Sequence, residues 1–318
     1  MARTLEPTLP DRATPLRGPV AAWRRLSPWK RGEYLTAALF LAPGLIWFLA
    51  FMLYPLLHSL WMSFHEWKPR GAAVFVGLDN FARVFQDPVN LIALRNTVVY
   101  AVLSIPPQMV LGLLVAIGLE RATRGKVLFR LIYYLPVISS WVVVSLMFMF
   151  LFNSEGLFNH VFGDVLGWVD PNTAWLNRGS TALPVIAALG VWKGLGWSML
   201  IYLAALQGIP KELVEAARID GANGVQVTRY VTVPLLTPTT LFILVMLTIG
   251  SFQSFIQFYI MTGGGPVHQT EVFLSYMYHQ AFDFLEFGYG SAIAWTLAAL
   301  IMAISLAQFR LVKQSHQY

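Results

Sequence analysis

The chain has 318 residues, 57% hydrophobic and only 12% charged, with a mean hydropathy of +0.60 and a formal net charge of +6. That balance excludes an ordinary water-soluble domain. It also argues against a nucleic-acid partner, because the basic residues gather at the ends of apolar runs, as membrane orientation requires, rather than covering a folded surface. With no cysteine there is no disulfide, thiolate zinc site, iron–sulfur cluster or catalytic thiol.

Residues 1–33 are polar and basic, and Pro10, Pro15 and Pro19 disperse any helix there. The apolar run that follows is too long for a signal-peptide core, so the segment is predicted to be an uncleaved cytoplasmic tail with Arg24, Arg25, Lys30 and Arg31 at the headgroups of the membrane lipid. Crossing about 30 Å of hydrocarbon takes roughly 20 helical residues. Six runs meet that length, at 35–62, 97–119, 131–152, 183–206, 236–261 and 289–309. Helix is forced in each, since a backbone amide left unpaired in lipid costs several kcal/mol and no alternating strand pattern is present. The predicted fold class is therefore an all-α polytopic membrane protein with six transmembrane helices at 34–312 and a short cytoplasmic tail at 313–318. With the N-terminus inside, the inner segments hold seven, four, three and two Lys or Arg, against five on the outer side. Both termini are thus expected in the cytoplasm. Pro43, Pro55, Pro106, Pro107 and Pro136 fall within spans, where each removes a backbone donor and is expected to bend or interrupt its helix.

The cytoplasmic loop at 207–235 carries the densest ionisable patch of the second half: Glu212, Glu215, Arg218, Asp220 and Arg229. Pro210 suits the first position of a short helix whose Leu213, Ala216 and Ala217 form one apolar face. Asp220 to Gly224 is a cluster of turn formers, a second short helix follows through Val227 and Val231, and Pro234 is expected to stop it. This is a compact helix–turn–helix protrusion suited to docking a partner.

Those residues carry a resemblance. Glu215-Ala216-Ala217, three residues, Gly221, nine residues, then Val231-Thr232-Val233-Pro234 resembles the EAA loop of binding-protein-dependent ABC importer permeases, with Val in place of Ile and of Leu in the final motif. "GLDNF" (77–81), "MTGGGP" (261–266) and "GYGSAIAW" (288–295) extend the likeness to the MalF/UgpA-like half of carbohydrate importers, which have a MetI-like type I fold. The resemblance implies a location in the prokaryotic inner membrane and a coupling role for Glu215, Ala216, Ala217, Asp220, Gly221 and Pro234. It implies as partners a second MalG/UgpE-like permease, two ATPase subunits and an extracytoplasmic sugar-binding protein. This chain would hold no cofactor and perform no catalysis, since ATP and Mg would be bound by the ATPases. In keeping with that, no phosphate-binding G-x-x-x-x-G-K-[ST] occurs: Glu120 stands at the first Gly position and Val127 follows Gly125-Lys126.

Lys193 is the only charge inside the six runs, and an ammonium at mid-membrane costs at least about 2.5–3.5 kcal/mol, so it is expected to face a cavity, a solute or the second permease. Sugar recognition combines hydrogen-bonding groups with aromatic faces, which "VWKGLGWS" (191–198) and "GSFQSFIQFY" (250–259) both supply. In the maltodextrin-type members of the family the contacts lie on these two helices, and the resemblance carries them to Val191, Lys193, Gly194, Trp197, Gly250, Ser251, Ser254 and Ile256. Gln253 and Gln257 join on chemistry alone, and interhelical packing is the competing role for each. The six histidines are too scattered for a zinc site. The function implied is uptake of a mono-, di- or oligosaccharide, or a glycerol-phosphate-like solute. An ion-coupled secondary transporter is the alternative, but it needs mid-membrane ion ligands that Lys193 alone does not supply.

Overall fold

A computed structural model describes residues 28–69, 71–121 and 124–311. The predicted tails therefore lie outside the described residues, except for 28–33 at the end of the first. The chain divides into two units, Met1–His58 and Ser59–Tyr318. In the first, α1 (Pro28–Phe48) passes through a π-helical turn, Leu49–Leu53, into α2 (Tyr54–Ser63), which continues across the unit boundary. Gly32–Ser63 is long and apolar enough to cross a membrane, and its Phe40 is 81% exposed, as a lipid-facing side chain must be.

The second unit opens with a two-residue antiparallel ladder that the all-helical expectation did not include: β1 (His65–Glu66) pairs with β2 (Val74–Phe75), His65 opposite Phe75. Asn80 secures its start by donating to the Ser63 and His65 carbonyls. After the short α3 (Asp79–Gln86) come α4 (Pro88–Arg121), α5 (Lys126–Ile138), α6 (Trp141–Leu151), α7 (Leu157–Asn159) and α8 (Gly179–Gln207). The protruding loop holds α9 (Lys211–Ile219), α10 (Gly224–Val227) and α11 (Val233–Leu235). The chain ends with α12 (Thr237–Phe252), α13 (Ile256–Met261), α14 (Phe273–Tyr278) and α15 (Phe287–Leu311). Among the described residues four helices are long and apolar enough to span, and six spans result if each sharply bent pair counts as one.

Two predicted runs differ from straight helices. The third is α5 and α6, bent by 95° at Ser139 and Ser140, both of which take extended backbone. In the fifth, the helical chain of the loop continues through Pro234 to Leu235 and bends by 67° before α12. Pro234 does not stop it because the wide π turn Thr228–Thr232 has already displaced the usual hydrogen-bond ladder, and a proline early in a helical segment gives up no bond. A further break at 253–255 separates α12 from α13. By contrast α4 remains a single helix through Pro106 and Pro107.

The bundle is organised on α4 and α8. Gly190, Gly194 and Ser198 recur at four-residue spacing on α8 and let the backbones approach closely. A β-carbon at Gly190 would lie 2.5 Å from the Tyr100 hydroxyl, and one at Gly194 would lie 2.5 Å from Gln108 Nε2. The opposite side of α8 is equally bare: a β-carbon at Gly196 would strike the Tyr133 carbonyl of α5. Three apolar clusters then fill the spaces between helices, centred on Ile293 and Phe273, on Ile186 and Phe258, and on Met199 and Ile243.

Candidate functional site

The protruding loop is built for exposure. None of α9 is buried, Glu215 and Ala216 are exposed and Ala217 is half-buried. Gly221 sits at φ +86 just beyond the helix, where its amide bonds to the Arg218 carbonyl and the Ala222 amide to the Ala217 carbonyl. This paired closure of the last carbonyls needs a left-handed residue, which explains why glycine stands four residues after Ala217. Asn223 caps the next helix by accepting from the Val225 and Gln226 amides, while Gln226 Oε1 accepts from the Asn223 amide. Arg121, at the end of α4, donates to Thr228 Oγ1 at 2.9 Å and so ties the loop to that helix. On this ordered frame three large side chains stand out from the described residues: Ile219 is 85% exposed, Val225 77% and Tyr230 70%. Asp220 lies exposed at the turn and Pro234 half-buried at its base.

The candidates for solute contact fall into separate settings. Gly250, in the last turn of α12, and Gln253, at the break that follows, are exposed, and Ser254 Oγ donates to the Gly250 carbonyl at 3.1 Å. Ser251 and Gln257 are buried and face α4: Ser251 Oγ lies 3.5 Å from Ser104 Oγ, and Gln257 Nε2 donates to the Tyr100 hydroxyl at 3.3 Å. Gly194 packs against Gln108, whose Nε2 donates to its carbonyl at 3.0 Å and to Ser198 Oγ at 3.1 Å. Trp197 is half-buried with its ring 6.4 Å from Phe242. Lys193 stands apart: it is 4% exposed, and its ammonium donates to the carbonyls of Pro136, Val137 and Ser139.

Sequence reasoning missed the partners on α4. Tyr100, Ser104 and Gln108 recur every four residues and form a polar stripe inside the second apolar run, a period that was present in the sequence. It also missed a hub at the opposite end of the bundle from the loop, where the Asp87 carboxylate accepts from the hydroxyls of Tyr276 and Tyr289 and from the Val89 amide. Burial alone would raise the Asp87 carboxyl, but these hydrogen bonds outweigh it and hold it below the ordinary carboxylate range. Nearby, Arg83 donates to Glu286 at 2.7 Å. Among the described residues no group of three or more His, Asp or Glu is placed to hold a metal ion.

Apolar spans with two sharp bends, a polar stripe along the central helix and an ordered, exposed loop at one end are the build of a membrane transport subunit. The chain belongs to the family of binding-protein-dependent transport system inner membrane components, whose profile matches residues 97–316. It is 37% identical to the probable ABC transporter permease YurN of Bacillus subtilis over 86% of this chain and 95% of that one. Against the lactose transport system permease LacF of Rhizobium radiobacter it is 34% identical, over 89% of this chain and 96% of that one. Among solved structures, a bacterial alginate ABC transporter in complex with its alginate pentasaccharide-bound periplasmic protein superposes with a TM-score of 0.77 at 25% identity, covering 90% of this chain and 97% of that one. This protein is thus the permease subunit of an ABC importer, multi-pass in the prokaryotic inner membrane and not itself an enzyme. Its family works with a partner ATPase that binds ATP and with a solute-binding protein.

Proposed function

We propose that this chain, with a second permease of similar fold, forms the pathway by which a carbohydrate, or a polyol phosphate related to one, enters the cytoplasm by alternating access. Two ATPase subunits hold ATP and its magnesium, and an extracytoplasmic binding protein delivers the solute. The naming of relatives for lactose and alginate supports the solute class. In this reading the loop end of the bundle is cytoplasmic, as the Lys and Arg asymmetry requires.

The observation that carries the proposal is the exposure of the large side chains Ile219, Val225 and Tyr230 on a loop ordered by the Gly221 closure and the Asn223 cap. Glu215, Ala216 and Ala217 on α9, with Asp220 and Gly221 in the turn that closes it, form the element that seats in a cleft of one ATPase, and Pro234 sets the return of the chain into the membrane. Closure of the ATPase pair turns this helix as a rigid body. Because α9 follows α8 after only three residues, 208–210, the rotation passes directly into α8.

Solute contact is assigned to the broken stretch between α12 and α13 and to the polar stripe facing it. Gly250 and Gln253 present open space and hydrogen-bonding groups, while Ser251, Ser254 and Gln257 join Tyr100 and Ser104 of α4. Gly194 keeps α4 close enough for that stripe to be shared, and Trp197 backs it. Family membership decides against the ion-coupled alternative.

The test is Glu215→Lys in the complete importer, expressed with its partner subunits and reconstituted in liposomes. Membrane insertion is expected to be retained, while co-purification of the ATPase and ATP hydrolysis stimulated by a loaded binding protein are lost. Wild-type assembly and hydrolysis would overturn the coupling role. A panel of lactose, maltose, arabinose oligomers and glycerol 3-phosphate, read by stimulation of ATP hydrolysis in the wild-type importer, identifies the solute; no stimulation by any of them would refute the solute class.

A further inference from the structure

We infer that Lys193 is a positioning residue that locks the broken third span onto α8 and so makes the two move as one body. Its role is to close a helix end inside the membrane rather than to touch the solute.

The argument starts from the backbone. An α-helix leaves its last carbonyls without intrahelical donors, and inside hydrocarbon no water is present to supply them. The end of α5 is such a place, since Ser139 and Ser140 are extended and α6 departs at 95°. Serine chemistry covers only part of the deficit: Ser139 Oγ donates to the Leu135 carbonyl at 3.0 Å, and the Ser139 amide donates to the Pro136 carbonyl at 3.2 Å. The Val137 and Ser139 carbonyls have to be met from elsewhere.

Lys193 meets them. Its Nζ donates to the Pro136 carbonyl at 2.9 Å, to that of Val137 at 3.1 Å and to that of Ser139 at 2.7 Å. An ammonium has three protons, so three acceptors saturate it and leave none for a ligand. The charge also lies at the negative end of the α5 dipole and 4.8 Å from the centroid of the Trp141 ring, two further sources of attraction. One side chain therefore resolves two penalties at once, an unpaired cation in the membrane and unpaired carbonyls at a helix end.

A second, independent observation joins the same helices. Three residues along α8, Gly196 brings that helix so near α5 that a β-carbon would strike the Tyr133 carbonyl. Held by a backbone contact and by the ammonium, α5 cannot slide on α8. If the coupling reading above is right, the rotation that enters α8 from α9 carries the bend of the third span with it.

The test uses the absence of native cysteine. Leu131→Cys and Met147→Cys, both exposed positions, carry nitroxide labels across the bend in the assembled importer. Positions 16 residues apart would be separated by about 24 Å along an unbroken helix and by about 17 Å across a right angle. With Lys193 in place, pulsed dipolar spectroscopy is expected to give one narrow distribution at the shorter distance. In Lys193→Met the distribution is expected to broaden toward the longer one, and ATP hydrolysis to fall about tenfold or more. Should Lys193→Met not assemble, Lys193→Gln, which keeps two donors without the charge, is read by the same labels and is expected to broaden the distribution as well. A wild-type distribution in whichever variant assembles would overturn the proposal, whatever the transport rate. Because the label distance does not depend on the ATPase, failure of the coupling-loop reading would leave this result unchanged and is told apart from it by Glu215→Lys.

Discussion

Replacing Gly221 by alanine tests the loop with little ambiguity, because a β-carbon built there meets nothing within 4 Å. Any effect must then come from the backbone. Gly221 holds φ at +86, and this left-handed turn brings the Ala222 and Gly221 amides onto the Ala217 and Arg218 carbonyls. A non-glycine residue in that region costs about 1–2 kcal/mol. Applied to an exposed loop that must keep one shape to dock, the cost corresponds to a reduction of roughly 5–30-fold in the docking-competent population. Gly221→Asn supplies the control, since asparagine tolerates left-handed backbone and serves at helix ends. The assay is ATP hydrolysis by the reconstituted complex at limiting ATPase, with membrane insertion scored separately. Alanine is expected to weaken ATPase association by about that factor, asparagine by much less, and insertion to be equal in all three. If alanine and asparagine behaved alike, the left-handed closure would not be what shapes the loop.

Three other perturbations follow from the geometry. Gly190→Leu places side-chain atoms where the Tyr100 hydroxyl lies, so it is expected to lower the thermal unfolding midpoint of the detergent-solubilised complex, consistent with an overpacking cost of about 1–3 kcal/mol; an unchanged midpoint would refute the close α4–α8 contact. Gln257→Leu removes the donor to Tyr100 at the broken fifth span and is expected to raise the solute concentration for half-maximal uptake without altering assembly; an unchanged half-saturation would count against solute contact there. The Asp87 carboxyl is held below its unfolded value, so the stability it contributes is present above the unfolded pKa of about 4 and is lost as pH falls through the lower folded one. Asp87→Asn is expected to destabilise the protein at neutral pH and to flatten the loss of thermal stability between neutral and acid pH, and an acid slope identical to wild type would refute it.

The sequence made some of this legible for plain physical reasons. Apolar run length reports the spans, because the bilayer sets it, and the glycine after Arg218-Ile219-Asp220 reports the loop turn, because few other residues take that backbone. What it hid depends on the position of a backbone in three dimensions. Ser139 and Ser140 lie inside an uninterrupted apolar run, and an average over hydropathy has no term for a right-angle bend. Lys193 stood out as the only charge inside the six apolar runs, but its partners are carbonyls, which no residue code displays. The helix, left-handed glycine and second helix of the loop followed from local spacing, whereas the solute candidates were carried by counting along two helices. Counting carried Gly194 to solute contact, whereas in the structure it packs against Gln108, and it left Tyr100, Ser104 and Gln108 unnoticed on a third helix.

The bareness of α8 on two opposite sides has a consequence for how such a protein can diversify. Seated between neighbours like a shaft in its bearing, that helix has no room for a thicker residue at 190, 194 or 196. Position 250, on the fifth span, has nothing within 4 Å of a built β-carbon and leads into the unwound stretch beside it. If the proposed solute contact lies there, new cargo preferences can arise one substitution at a time at position 250, while the tightly packed α8 stays as it is.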